Sequence, residues 1–233
     1  MVRINKLLSN LGICSRKEAA RYIEDGRIKI NGVLSIPGQW VEEDDEILID
    51  DQPVAAREKV YIALNKPVGI TCTAEKTVKD NIIEYVNYPE YIFPVGRLDK
   101  PSQGLIILTN DGVLANKILE SENEHEKEYI VTLDKDFDKK FIEGMSSGVE
   151  ICGQITRPCK VFRVDNNTFR IILTQGLNKQ IRRMSKVFGY NVIRLERVRI
   201  MNITLDGIEY GKYRFISESE VDEMLRLTEK NNL

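Results

Sequence analysis

The chain is short of the residues on which many enzymes depend. His125 is its only histidine. A Ser-His-Asp or Cys-His mechanism is therefore excluded unless that residue is the base, and a usual zinc site lacks its ligands. Four cysteines (Cys14, Cys72, Cys152 and Cys159) are scattered with no Cys-x-x-Cys pair. No apolar run approaches the roughly 20 residues that span a bilayer. The apolar residues of the first dozen positions are interrupted and helically spaced, unlike a signal peptide. These absences predict a cytoplasmic protein with no membrane, metal or cofactor requirement. Carboxylate, hydroxyl and cationic groups are left for any chemistry.

The 233 residues are 42% apolar and 30% charged, enough for a real core and for a small domain attached to a larger one. A net charge of −2 hides an uneven distribution. Residues 1–32 carry seven basic residues against three acidic, and residues 179–199 seven against one. Acid collects elsewhere, as in the run from Glu42 to Glu46. Two basic regions on a mildly acidic chain predict a polyanion held at two places.

The first 50 residues read as a compact unit. Ile4, Leu7, Leu8 and Leu11 fall on one helix face, which Gly12 ends. Ser15-Arg16-Lys17-Glu18 is a capping box that opens a second helix, closed near Asp25-Gly26. A hairpin follows around Asn31-Gly32, and residues 46–50 add a strand. Residues 50–59 lack periodicity and contain a proline. The expected division is 1–52, a linker over 53–59, and a larger domain over 60–233.

In the larger domain strands are predicted at 60–64, 92–95, 105–108, 129–133, 159–164, 169–173 and 192–203. Helices are predicted at 113–119, 137–145, 178–188 and 219–228. Their irregular alternation indicates an α+β fold with a mixed, largely antiparallel sheet flanked by helices.

Two segments carry chemistry. Gly96-Arg97-Leu98-Asp99-Lys100-Pro101-Ser102 places a carboxylate on a loop between two apolar strands, where an unpaired charge is expensive and usually functional. In 178–188, Lys179, Arg182, Arg183 and Lys186 recur at helical spacing, with Ile181, Met184 and Phe188 opposite. A uniformly basic face repels itself unless it meets an anion.

Lys66-Pro67-Val68-Gly69, Arg97-Leu98-Asp99, Lys127-Glu128-Tyr129 and the run from Gly176 to Met184 stand in the order found in the RsuA-like branch of bacterial pseudouridine synthases, which the chain resembles over nearly its whole length. The N-terminal unit resembles the S4 RNA-binding domain through its Ser-Arg-Lys-Glu-Ala-Ala run, the Gly-Arg-Ile start of its hairpin and its Asn-Gly turn. The resemblance implies isomerisation of a flipped-out uridine, detached at N1 and rejoined through C5. Catalytic roles fall on Asp99 as the carboxylate, Arg182 as its counter-ion and Tyr129 as the ring that stacks on the base and manages its proton. Arg97 would fill the gap left by the flipped base. Lys66, Lys179, Arg183, Lys186, Arg16, Lys17, Arg21, Arg27 and Lys29 would contact RNA. Large-subunit ribosomal RNA is the expected partner, with transfer RNA a second substrate class, and the protein is expected to act as a monomer. No further RNA-binding extension is expected after about Leu227. The rival readings are a non-catalytic S4-type RNA-binding or ribosome-assembly factor and a nucleoside hydrolase. His125 is expected to be a structural surface residue.

Overall fold

The computed structural model describes residues 1–42, 44–75, 77–120 and 124–229. Part of the acidic run, at position 43, and the last four residues of the tail lie outside them.

The N-terminal unit begins with β1 (Val2–Arg3), α1 (Ile4–Asn10) and α2 (Arg16–Glu24). The Ser15 hydroxyl accepts the Glu18 N–H, and the Glu18 carboxylate accepts the Ser15 N–H, both at 3.1 Å. Next come β2 (Ile28–Ile30), β3 (Val33–Leu34), β4 (Trp40–Val41), β5 (Ile47–Ile49) and β6 (Gln52–Pro53). Asn31 and Gly32 both have positive φ, as a type I′ hairpin turn requires. β2 is central in a sheet ordered β3-β2-β5-β6, and β1 pairs with β4. Ile4, Leu8, Ile23, Ile28 and Val41 close a core between the helices and this sheet.

The segment expected to be linker starts as strand instead. Asp50 and Asp51 form a second left-handed turn that folds Gln52–Pro53 back onto β5. The chain after it is tied at both ends. The Arg57 N–H donates to the Leu11 carbonyl, and the buried Asn110 side chain donates to the Glu58 carbonyl and accepts the Val60 N–H.

The larger domain starts with β7 (Tyr61–Lys66), α3 (Ile82–Val86), β8 (Phe93–Pro94), β9 (Gln103–Thr109) and α4 (Gly112–Leu119). It continues through β10 (Lys127–Leu133), α5 (Lys139–Ser147), β11 (Glu150–Ile151), β12 (Gln154–Ile155), β13 (Lys160–Arg163) and β14 (Thr168–Leu173). α6 (Gln180–Val187), β15 (Val192–Ile200), β16 (Ile203–Thr204), β17 (Tyr213–Phe215) and α7 (Glu218–Glu229) complete it.

One nine-stranded sheet runs β13-β14-β10-β15-β9-β7-β17, with β8 and β16 attached at its side. Its pairs are antiparallel except β15 with β9. Both faces of the centre are covered, which explains the continuous apolar runs of β7 and β9. On one face Ile62, Leu64, Ile106 and Val131 pack with Phe141, Ile181 and Met184 from α5 and α6. On the other, Ala63, Leu105 and Ile107 pack with Leu114, Ile118 and Met224 from α4 and α7. Phe141 sits among Phe137, Phe169, Phe188 and Tyr190 at centroid distances of 4.8–5.7 Å.

Three further expectations needed correction. The apolar run 192–203 is two strands, because Met201 takes a left-handed φ and turns β16 back on β15. The helix expected over 178–188 starts at Gln180, after Lys179 has adopted φ 51°. His125 is buried, not superficial, with Nε2 3.2 Å from the Lys117 carbonyl oxygen.

Candidate active site

The loop between β8 and β9 is fixed at almost every residue. Arg197, on β15, donates from Nε to the Leu105 carbonyl at 2.7 Å and from Nη1 to the Arg97 carbonyl at 3.4 Å. The buried Cys72 sulfur lies beside the Leu98 backbone. Gly69 donates its N–H to the Lys100 carbonyl at 2.8 Å. Arg182 donates to the Ser102 hydroxyl at 3.0 Å and the Pro101 carbonyl at 3.3 Å. The Ser102 N–H closes a turn onto the Asp99 carbonyl.

The half-buried Asp99 carboxylate is the exception. It makes no hydrogen bond or ion pair with the described residues, yet it borders a cleft of about 620 Å³ shared with Arg97, Lys127, Tyr129, Arg182 and Arg197. A clamped backbone presenting an uncommitted carboxylate is the arrangement that preorganised catalysis needs.

Strand geometry brings the other groups in. Tyr129 on β10 pairs directly with Arg197 on β15, and both are buried. Between Glu128 and Tyr129 the pairing shifts, leaving Val198 as an extra residue on β15, a bulge of the kind that re-aims side chains beside sites. Gly104 stands opposite Arg197 on β9 with φ +107°, where an added Cβ would come 2.3 Å from the Arg197 carbonyl oxygen. No other residue type fits that crossing.

The predicted residues separate into three groups. Asp99, Tyr129, Arg97 and Arg182 line one cleft, with Lys179 at its rim. Arg97 projects an exposed side chain, without an ion pair to Asp99. Arg182 also makes no ion pair with Asp99 among the described residues, contrary to the expected contact. Its guanidinium is held by Pro101, Ser102 and, at 2.9 Å, the Val192 carbonyl; burial lowers its pKa, and the nearby Asp99 charge partly opposes that.

Lys66 belongs to a second group. It is fully buried, and its ammonium donates to the Pro67 and Ile70 carbonyls at 2.9 Å, so it cannot reach a phosphate. Burial depresses its pKa. It braces the loop whose Gly69 supports Lys100.

The third group lies on the surface. Arg183 bonds Asn178 and the Cys152 sulfur, and Lys186 bonds Asn191. Arg27 pairs with Asp50 and Lys29 with Asp51, which places carboxylates where phosphates were expected. Lys17 lies 3.7 Å from Glu75, and Arg21 lies 4.0 Å from Glu18. Arg16 is exposed.

Three contributors escaped the sequence reading. Arg197 was counted with the basic surface, although it shares the inward phase of Leu195 on β15, and a charge in that phase is a signal. Buried Gln180 accepts the Leu177 N–H at 3.0 Å and holds the loop before α6. Lys127 lay in a noted motif without a role.

The fold and cleft define an RNA-modifying isomerase preceded by a small RNA-binding unit. A family profile described as RNA pseudouridylate synthase matches residues 60–186, and one described as S4 domain matches residues 2–47. The chain is 50% identical to the dual-specificity RNA pseudouridine synthase RluF of Escherichia coli K12, over 99% of its own length and 81% of that protein. It is 29% identical to the ribosomal large subunit pseudouridine synthase B of Bacillus subtilis, over 98% of both chains. A crystal structure of a pseudouridylate synthase superposes with a TM-score of 0.71 at 29% identity, covering 96% of this chain and all of that one. The chain therefore belongs to the RNA pseudouridine synthase family and carries an N-terminal S4 domain.

Proposed function

We infer that this enzyme converts a uridine of large-subunit ribosomal RNA to pseudouridine, with a uridine of transfer RNA as a second substrate. The observation that carries the reading is the Asp99 carboxylate, left without a partner among the described residues on a loop whose backbone is otherwise clamped. A protein that only binds RNA has no use for such a group. The S4 domain, over the proposed unit 1–52, would hold flanking RNA while the cleft takes one nucleotide.

Base flipping opens the sequence, since C1′ and C5 are inaccessible inside a stack, and it costs a few kcal/mol. Arg97, exposed beside the catalytic loop, is suited to the vacated space. Tyr129 offers its ring to the extracted uracil. Asp99 acts on the nucleotide as the N1–C1′ bond breaks. Arg182 and Arg197 line the same cleft. Uracil then turns and bonds through C5, with no net hydrolysis or redox change.

Lys179, Arg183 and Lys186 beside the cleft, and Arg16, Lys17 and Arg21 on α2, are proposed phosphate contacts. The Lys17–Glu75 pair brings α2 close to Thr73, a residue of the cleft wall. The relative named dual-specificity supports two substrates, and the relative named for the large ribosomal subunit supports ribosomal RNA as one of them.

The test uses unmodified ribosomal and transfer RNA labelled with tritium at uridine C5. Release of label from an intact strand of either class is expected, at one mapped position in each. A protein that releases no label from any RNA, or that cleaves the strand, would contradict the reading.

A further inference from the structure

Lys127 opens β10 two residues before Tyr129, so the strand's alternation sends both side chains to the same face, and both line the cleft with Asp99. The bulge at this point lies on β15, so the alternation of β10 is intact. Glu126 and Glu128 point to the other side, where Arg199 takes both carboxylates at 2.9 Å. Lys127 is thus separated from the acids beside it in sequence. Among the described residues it has no ion pair, and its ammonium donates only to the His125 carbonyl at 3.3 Å.

A lysine half-buried at a cleft wall without a carboxylate is an uncomfortable cation. The titratable and charged groups around it are Arg197 on β15, His125 just before β10, Glu120 after α4, and Asp99, Tyr129 and Arg182 along the cleft. Burial, with Arg197 nearby, pushes the Lys127 ammonium down to about 8. At neutral pH it can therefore both accept and release a proton, which Arg182 and Arg197 cannot.

We propose that Lys127 is a catalytic residue, the base that removes the C5 proton of the rejoined uracil and returns a proton to N1. The proposal rests on the pseudouridine synthase reading. Cleavage leaves the N1–C1′ electron pair on the uracil. When C5 bonds to C1′, C5 becomes tetrahedral with its hydrogen still attached, and N1 is double-bonded to C6. The neutral Lys127 amine takes the C5 proton. The C–H electrons form the C5–C6 double bond, and the N1–C6 π electrons move to N1. The resulting ammonium then protonates N1, which restores the amine. One proton travels from C5 to N1, and no other reactant is needed. Tyr129 is left free to stack.

The test compares wild type with Lys127→Ala in single turnover on RNA carrying hydrogen or deuterium at the target C5. The variant is expected to form product at least 100-fold more slowly with unchanged RNA affinity. Its residual turnover should show a primary isotope effect above about 2, and small primary amines should restore at least tenfold. The wild-type rate of the final step should rise with pH through about 8, because the neutral amine is the reactive form, and Lys127→Arg should lose that rise. If Lys127→Ala does not fold, Lys127→Met carries the rate, isotope and pH measurements. A variant rate within threefold of wild type overturns the proposal, as does a slow variant with neither isotope effect nor altered pH profile. A wild-type enzyme that forms no pseudouridine instead overturns the underlying reading.

Discussion

In the S4 domain, Arg27 and Lys29 meet Asp50 and Asp51 at the surface, whereas in the catalytic domain Arg182 and Arg197 turn inward onto backbone carbonyls. Both sets belong to runs of basic residues that read alike. Their environments give them different work. A surface pair stays in high dielectric and is worth about 0–1 kcal/mol, so its cation can exchange a carboxylate for a phosphate at little cost. A buried guanidinium bonded to several carbonyls cannot exchange partners without leaving polar atoms unpaired. The difference separates binding cations from cations that build the site.

Breaking the inward set should have the largest effect. Arg182→Ala removes the clamp on Pro101 and Ser102, and a displacement of about 1 Å at the carboxylate is worth about 10²-fold in rate. The expected outcome is a fall of that size in single-turnover rate with RNA affinity within threefold. Arg182→Lys should recover little, since one ammonium cannot span the three acceptors.

The outward set is probed by salt. Arg16→Ala with Lys17→Ala should weaken binding roughly evenly across RNA sequences and lower the slope of log K against log salt by about 1 per cation removed. Catalysis at saturating RNA should be unchanged. Arg27→Ala should lower the slope by less than either of these, because its charge must first leave Asp50, and filter binding at two salt concentrations measures both cases.

The smallest effect concerns stability alone. Arg214, hydrogen-bonded from both terminal nitrogens, holds the Glu220 carboxyl down at about 2. A depressed acid stabilises the fold above its unfolded value and loses that contribution as pH falls from about 4.5 towards 2. Glu220→Gln should therefore destabilise the protein at pH 7 by about 0.5–1 kcal/mol in urea titration. The deficit should vanish near pH 2.

Local signals were legible in the sequence where the chemistry is local. The Ser15–Glu18 box, the Asn31-Gly32 turn and the apolar runs of β7 and β9 depend on neighbours in the chain. What depends on distant partners was not. Helical spacing grouped Lys179 with Arg182, Arg183 and Lys186, but Lys179 lies before the helix and Arg182 reaches back to Pro101. Spacing gives a face, whereas the direction of a long side chain is set by the acceptors it finds. Lys66 was read as a phosphate contact because nothing nearby in sequence reveals that the Pro67 and Ile70 carbonyls enclose it. The turn at Met201 was hidden in an apolar run because its partner, the Glu126 carbonyl, is remote in sequence. In the site, residue types and order revealed Asp99 and Tyr129, while Arg197 required the sheet.

The central claim is that the clamped loop exists to present the Asp99 carboxylate. Single-turnover tritium release by Asp99→Asn, run beside its RNA affinity, addresses it most directly. The isosteric amide removes the charge and leaves every backbone clamp in place. The account predicts that turnover is lost while affinity stays within roughly tenfold, about 1.4 kcal/mol. Turnover by the variant within tenfold of wild type would contradict it.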